Sequence, residues 1–222
     1  MLPWLVGMLM CGVPLEAAAE AERWPRAGAP PLLVRLAWTE PVGAMAGGWL
    51  LAAQETSRVL ARLGLQAESR AAPVSEPLTS DEIRVVLVPG FPPRRESGRT
   101  TIGAASSRAS IPTIWVGLDG IAAVLGASTP IRPLSAPPEV VLRLDRLLGR
   151  VVAHEVVHLL APTVPHGRGL MSGCLDVNEF LQPNMRIDPE VAVLVHMAVD
   201  AGRTAVASRE GDDGEVSFSA GP

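Results

Sequence analysis

Two histidines four residues apart, His154 and His158, limit the local structure that this 222-residue chain can form around them. Residues four apart lie on the same face of an α-helix, so both imidazoles can bind one zinc ion if this segment is helical. Between them, Glu155 projects beside the imidazoles, where its carboxylate can take a proton from a water molecule that the metal activates. The spacing therefore predicts a helix that carries two metal ligands and a general base.

The surrounding sequence favours that helix. Pro137 and Pro138 suit a first helical turn, and no further proline occurs before Pro162. Gly149 lowers the helix propensity by about 1 kcal/mol relative to alanine, which predicts close packing at this position. Apolar residues recur at three- and four-residue steps, namely Val140, Leu144, Leu147 and Val151. A wetter side is expected at Arg143, Asp145, Arg146 and Arg150.

A third ligand is needed, because a catalytic zinc usually has three protein ligands and a water molecule. His166 lies eight residues after His158, beyond a loop that contains Pro162 and Pro165. Such a loop can turn the chain back beneath the metal. We therefore predict that His166 completes the ligand set.

The segment from Arg150 to Met171 resembles the metzincin-type zinc peptidases, which have His-Glu-x-x-His-x-x-Gly-x-x-His followed by a methionine turn. It is more similar to small exported bacterial metzincin-like proteins, with His-Glu-x-x-His-x-Leu, a short loop, His and then Gly-(Ile/Leu)-Met. The matching motif covers about 20 residues. The resemblance implies that the metal ligands are His154, His158 and His166. It also implies that Glu155 is the general base and that Met171 forms the hydrophobic floor below the metal.

The chain departs from the broad metzincin pattern in three ways. Ala161 replaces the family glycine, and the loop to His166 is two residues longer. The chain also contains no tyrosine, whereas some metzincins place one near the metal. We expect zinc, backbone or arginine to stabilise the charge that develops in the transition state.

Glu179 is the alternative third ligand, since another class of zinc peptidase uses a glutamate from a later helix. The segment Asp176–Phe180 could form a short helical turn. We favour His166, because Gly169-Leu170-Met171 follows it, and expect Glu179 to be a solvated surface charge.

The order of predicted elements extends the resemblance to the fold. Strands are predicted over Leu32–Trp38, Leu65–Ala71, Ile83–Val88, Thr100–Ala105 and Thr113–Leu118, and helices over Ala44–Leu63, Glu139–Leu160 and Val191–Val206. This order predicts an α+β, metzincin-like fold: a mixed twisted sheet of four to five strands, a backing helix, an active-site helix and a small C-terminal helical subdomain. Thr100–Ala105 is expected at the sheet edge, where substrate main chain could bind, or alternatively in an ordinary hairpin. His196 is expected in the core. Asp119 is expected in a turn, with a role in the site as the alternative.

The N-terminal sequence predicts an exported protein, periplasmic or secreted. The apolar segment Leu2–Leu15 and the small residues Ala17–Ala19 are typical of a secretory signal peptide, with an uncleaved anchor as the alternative. No other segment is long and apolar enough to span a membrane. The predicted organisation is a signal peptide over 1–19, a leader over 20–31, one catalytic domain over 32–207, divided into subdomains 32–161 and 162–207, and a mobile tail over 208–222.

Charge and cysteine content narrow the possible partners. The net charge is −4 and all 19 basic residues are arginine, without a cluster that would suggest nucleic acid binding. After signal cleavage Cys174 has no disulfide partner, and we expect it to be buried, with a ligand or redox role as the alternative. No sequence feature identifies the oligomeric state.

These observations predict an exported zinc-dependent peptidase that hydrolyses a peptide or protein substrate. The alternative is a zinc-stabilised binding or scaffold protein without hydrolytic activity. A third interpretation is that the motif is accidental and no metal binds. No loop identifies the substrate-binding residues.

Overall fold

The computed structural model describes residues 32–40, 45, 48–91, 101–107, 111–127, 135–173 and 177–212, with side chains up to 201. The predicted signal peptide, leader and Cys174 lie outside these residues. Among them, no helix combines the length and apolar character that a membrane crossing requires.

A five-stranded mixed sheet forms one layer of the fold, in the order β2-β1-β3-β5-β4. The strands are β1 (Leu32–Thr39), β2 (Leu65–Ala71), β3 (Glu82–Val88), β4 (Gly103–Ser106) and β5 (Thr113–Gly117). All neighbours are parallel except β4, which pairs antiparallel with β5. The predicted α+β class with four to five strands is therefore confirmed. The fourth strand lies at the sheet edge as expected, over Gly103–Ser106 rather than Thr100–Ala105. Its antiparallel pairing with β5 also fits the alternative, an ordinary hairpin.

The described residues also form five helices, and the first and third of them contact strands of this sheet. They are α1 (Trp49–Ala61), α2 (Leu118–Val124), α3 (Pro138–Leu160), α4 (Val177–Leu181) and α5 (Pro189–Asp212), with a 3₁₀ turn at Gly169–Met171. Alternate residues of β3, namely Ile83, Val85 and Leu87, are buried, as are Ile114 and Val116 of β5. The core lies between these residues and the apolar faces of α1 and α3.

The observed helices differ from the predicted ones in three places. The first begins at Trp49, five residues later than expected, and the last continues to Asp212, into the segment predicted as a tail. Helix α2 was not predicted. Asp119, expected in a turn, lies in its first turn, and its backbone N–H donates to the carbonyl of Pro89 at 2.7 Å. Buried Leu118, Ile121 and Ala122 have helical spacing, which could have indicated this helix.

Helix α3 packs directly on α1 at Gly149, as the sequence predicted. A Cβ atom on Gly149 would lie 2.4 Å from the carbonyl oxygen of Ala52 and 2.8 Å from the Cβ atom of Glu55. The Thr56 hydroxyl donates to the Gly149 carbonyl at 3.0 Å. The missing side chain therefore allows the two helix backbones to approach each other closely.

Two of the four residues expected on the wetter side of α3 are instead buried, whereas Arg143 is exposed as predicted. Arg150 has 0% and Asp145 has 2% of its surface exposed. The sheet, α1 and α4 all contact this helix. Helical periodicity distinguishes a buried face from a solvated one, but α3 is covered around most of its circumference.

Helix α5 docks on the turn between α1 and β2 through His196, which is buried as predicted. The His196 Nε2 atom donates to the carbonyl of Leu63 at 2.8 Å. Gly64 has a φ of 74°, and a Cβ atom there would lie 2.9 Å from His196 Nε2. A side chain at Gly64 would therefore displace the ring of His196.

Asp145 generates a prediction about stability and pH. Within the described part of the chain neither of its carboxylate oxygens has a hydrogen-bond partner, and burial raises its pKa from 3.8 to about 6. The protonated, uncharged form of Asp145 is compatible with burial. The contribution of Asp145 to stability is therefore full below pH 3.8 and is lost as the pH rises through about 6. We expect Asp145→Asn to raise the free energy of unfolding at pH 8 by about 1–3 kcal/mol, with the gain vanishing in acid.

Urea unfolding of the parent and of Asp145→Asn, from below pH 3.8 up to pH 8, tests this expected gain in stability. Glu139→Gln is the control, because it changes the same charge at an exposed position of the same helix. An Asp145→Asn variant that is less stable than the parent at pH 8 would contradict an unpaired buried carboxylate.

Candidate metal centre

The fold brings the three predicted histidine ligands together. His154 and His158 lie one turn apart near the C-terminal end of α3, and their Nε2 atoms are 3.1 Å apart. The Nε2 atom of His166 also lies 3.1 Å from that of His158. The ligand atoms of all three lie within 4.8 Å of one another, so they could hold one metal ion.

His166 reaches the helix through a loop that does not need the family glycine. Ala161 ends α3 with a φ of −137°, a negative value that does not require glycine. The Val164 N–H donates to the Ala161 carbonyl at 3.0 Å and begins the turn. Gly167 then donates to the carbonyl of Met171 at 2.7 Å. The longer loop thus turns the chain back without a left-handed residue at position 161.

The nitrogen arrangement fits a metal ion better than it fits three free imidazoles. The Nδ1 atom of His154 donates to the Leu170 carbonyl at 2.7 Å, which leaves a lone pair on its Nε2 atom. A proton on His158 Nε2 could satisfy one of its two 3.1 Å contacts but not both. Two nitrogen ligands of a tetrahedral zinc site are about 3.3 Å apart, which is close to the observed spacing.

The protonation states also suit metal binding. Burial lowers the pKa of His154 to about 4, with smaller contributions from the neighbouring imidazoles. Burial, together with His166, also lowers the pKa of His158. Both rings are therefore neutral near pH 7, which is the form that coordinates a metal.

Glu155 lies on α3 next to these ligands and is covered by the edge strand. Its exposed fraction is 9%, and burial raises its pKa to about 7. A Cβ atom on Gly103 would lie 2.7 Å from Glu155 Oε1 and 2.7 Å from Val151 Cγ1. The absence of a side chain at Gly103 therefore leaves room for the carboxylate beneath β4.

The turn at Gly169–Met171, which we call the 169–171 turn, lies against the histidines. Leu170 supplies the carbonyl that His154 contacts. Met171 is buried, and its carbonyl accepts from Gly167, next to His166. The structure thus places Met171 within the segment that supports the site, while its role as the floor below the metal stays a prediction.

Glu179, the alternative ligand, does not join the histidine cluster among the described residues. The expectation of a solvated surface charge is also wrong. Glu179 is half-buried on α4, and its Oε1 atom accepts from the backbone N–H of Gly169 at 3.2 Å. This contact joins α4 to the 169–171 turn, and the sequence pattern does not indicate that these two elements lie close together.

Arginines that fix the position of α4 were also missed. Arg150 donates through Nε to Glu55 Oε1 at 2.6 Å and through Nη1 to the carbonyl of Phe180. Arg146 donates to the Leu181 carbonyl at 2.9 Å. Cations near the last carbonyls of a helix interact favourably with its dipole. Arginine on a predicted helix is the only hint in the sequence.

His166 gives a direct test of the metal centre. We expect the parent chain to bind one equivalent of Zn²⁺, and His166→Ala to lower the affinity by about tenfold or more, because a ligand matters at least as much as an outer contact. Competition with a coloured chelator measures both affinities. Arg168→Ala is the control, since Arg168 is exposed on the same loop. Equal affinity for the parent and His166→Ala would contradict the three-histidine site.

Comparison with known proteins finds no match: no family model matches the sequence, and neither does a curated protein or a solved structure. Function therefore has to be inferred from the side chains that the fold brings together. These are three imidazoles that could hold a metal ion and one buried carboxylate on the helix that carries two of them.

Proposed function

We propose that this chain is a metzincin-like, zinc-dependent peptidase that hydrolyses peptide bonds. The observation that carries the proposal is the convergence of three Nε2 atoms, two of them on the helix that also carries the buried carboxyl group of Glu155. Three neutral imidazoles are a common ligand set of catalytic zinc, and they leave a fourth position for water or substrate.

In this proposal Glu155 is the general base. A bound Zn²⁺ would supply the Lewis acidity that activates a water molecule and polarises the scissile carbonyl. Glu155 accepts the proton of the attacking water and delivers it to the leaving amine. A carboxyl group whose pKa burial raises to about 7 is suited to both steps near neutral pH.

The position of β4 supports an extended peptide as the substrate. β4 pairs with β5 on one side, and no strand of the described residues pairs with its other side. A peptide that adds to a free edge is held by main-chain hydrogen bonds. Gly103 of this strand covers Glu155, so a peptide along β4 would pass close to the general base.

Element order and the N-terminal sequence support the finer parts of the proposal. A strand, a helix and then several strands before the histidine-bearing helix resemble the order expected of a metzincin-like N-terminal subdomain. Four strands rather than the expected two or three follow the first helix, and the short α2 also precedes the histidine-bearing helix. Export is proposed from the apolar segment Leu2–Leu15 and from Ala17–Ala19.

Glu155→Gln separates the peptidase from a zinc-stabilised scaffold. We expect this variant to retain zinc and to lose turnover by about 100-fold or more, because the amide cannot accept the proton. Digestion of a broad peptide library measures turnover, and the zinc content of the purified protein measures retention. Cleavage by the parent must also stop with a chelator.

Two results would overturn this assignment. A Glu155→Gln variant that cleaves as fast as the parent excludes Glu155 as the base. A zinc-loaded parent that cleaves no peptide in the library favours the scaffold interpretation.

Gly103→Ala tests whether the contact between β4 and Glu155 matters for turnover. The added methyl group would meet Glu155 Oε1 at 2.7 Å, so the carboxylate must move. We expect kcat to fall by about 10- to 100-fold while zinc stays bound, since small misplacements of catalytic groups are costly. Ala104→Ser is the control on the opposite face of the same strand. An unchanged kcat for Gly103→Ala would show that Glu155 does not need this space.

A further inference from the structure

The 169–171 turn supports two of the three histidines through backbone groups. The Leu170 carbonyl accepts from His154 Nδ1 at 2.7 Å, which orients the ring. The Met171 carbonyl accepts from the N–H of Gly167 at 2.7 Å, one residue after His166. Movement of this turn would therefore change the positions of a helical ligand and of the loop ligand together.

Two contacts hold the turn itself. The Leu170 N–H donates to the Arg186 carbonyl at 3.0 Å, and Gly169 has a φ of 60° with room for no side chain, since a Cβ atom would lie 2.0 Å from that same oxygen. On the other side, the Gly169 N–H donates to Glu179 Oε1 at 3.2 Å. A hydrogen bond from a backbone N–H to a carboxylate is stronger than one to a neutral acceptor.

The helix that carries Glu179 is attached to the metal-binding helix. Buried Arg150, one turn before His154 on α3, donates to the Phe180 carbonyl. Arg146, one turn earlier, donates to the Leu181 carbonyl at 2.9 Å. These contacts connect α3 back to itself through two other elements. Arginines of α3 bind α4, Glu179 of α4 binds the 169–171 turn, and the turn orients His154 of α3.

We propose that Glu179 is a positioning residue that sets the affinity of the histidine site for zinc. The inference rests on the metal centre of the proposed function but not on hydrolysis. Without the carboxylate, the Gly169 N–H loses its acceptor and the Leu170 carbonyl is less firmly placed against His154. Outer contacts of metal-binding histidines contribute about 10- to 100-fold to metal affinity.

Zinc titration of four proteins, by competition with a chelator, tests the proposal. We expect Glu179→Ala to bind Zn²⁺ about tenfold or more weakly than the parent. Glu179→Gln should fall between Glu179→Ala and the parent, because its amide oxygen accepts the same hydrogen bond but carries no charge. Glu190→Ala is the control, since it removes an exposed carboxylate near the start of α5. Glu179→Asp keeps the charge but shortens the side chain, and it replaces the alanine variant if that variant does not fold.

A second readout separates positioning from general stability. In the zinc-loaded protein the His154 Nδ1 proton, bonded to the Leu170 carbonyl, should exchange slowly with solvent in the parent and faster in Glu179→Ala, as measured by NMR. Equal zinc affinity and equal exchange in the parent and Glu179→Ala would overturn the role of Glu179 alone. A parent that binds no zinc would overturn the proposed function, and this inference with it.

Discussion

The buried guanidinium of Arg150 joins three helices, and the rest of the site depends on it. Its Nε atom bonds to Glu55 of α1, its Nη1 atom bonds to the Phe180 carbonyl of α4, and its own backbone belongs to α3. Burial alone would raise the pKa of Glu55, but hydrogen bonds from Arg58 and Arg150 lower it below its ordinary value. Loss of one partner from a buried ion pair costs about 3–5 kcal/mol, so these helices are expected to dock as a unit.

The metal centre needs this docking because helix α3 alone supplies only two of the three histidine ligands. Regular α-helical geometry brings the imidazoles of His154 and His158 to one face without help from other elements. His166 and the ring orientation of His154 depend on the segment that follows Ala161. That segment would lose its position if α4 were not attached to α3, because an unrestrained loop of this length has many conformations.

The glycines of this chain matter for close approach as well as for turns. Gly149 allows the backbones of α1 and α3 to touch, and Gly103 allows the edge strand to cover Glu155. The first was expected from an otherwise unfavourable residue inside a helix. The role of Gly103 was not expected, because a glycine near a strand end can mark a bulge, a bend or a close approach. The carboxylate that Gly103 accommodates also lies 52 residues later in the sequence.

Interactions between residues close in the chain account for the features that could be predicted before the structure. Turn-forming residues and apolar periodicity predicted the strands, the backing helix and α3, and the four-residue spacing with a nearby histidine predicted the ligand trio. Asp145 and Arg150 were misplaced because periodicity within one helix does not reveal how many neighbours surround it. The contact of Glu179 with the 169–171 turn and that of Leu170 with His154 could be recognised only in the folded chain. These contacts join backbone groups and side chains of elements that fold together, and backbone carbonyls leave no signature in a sequence.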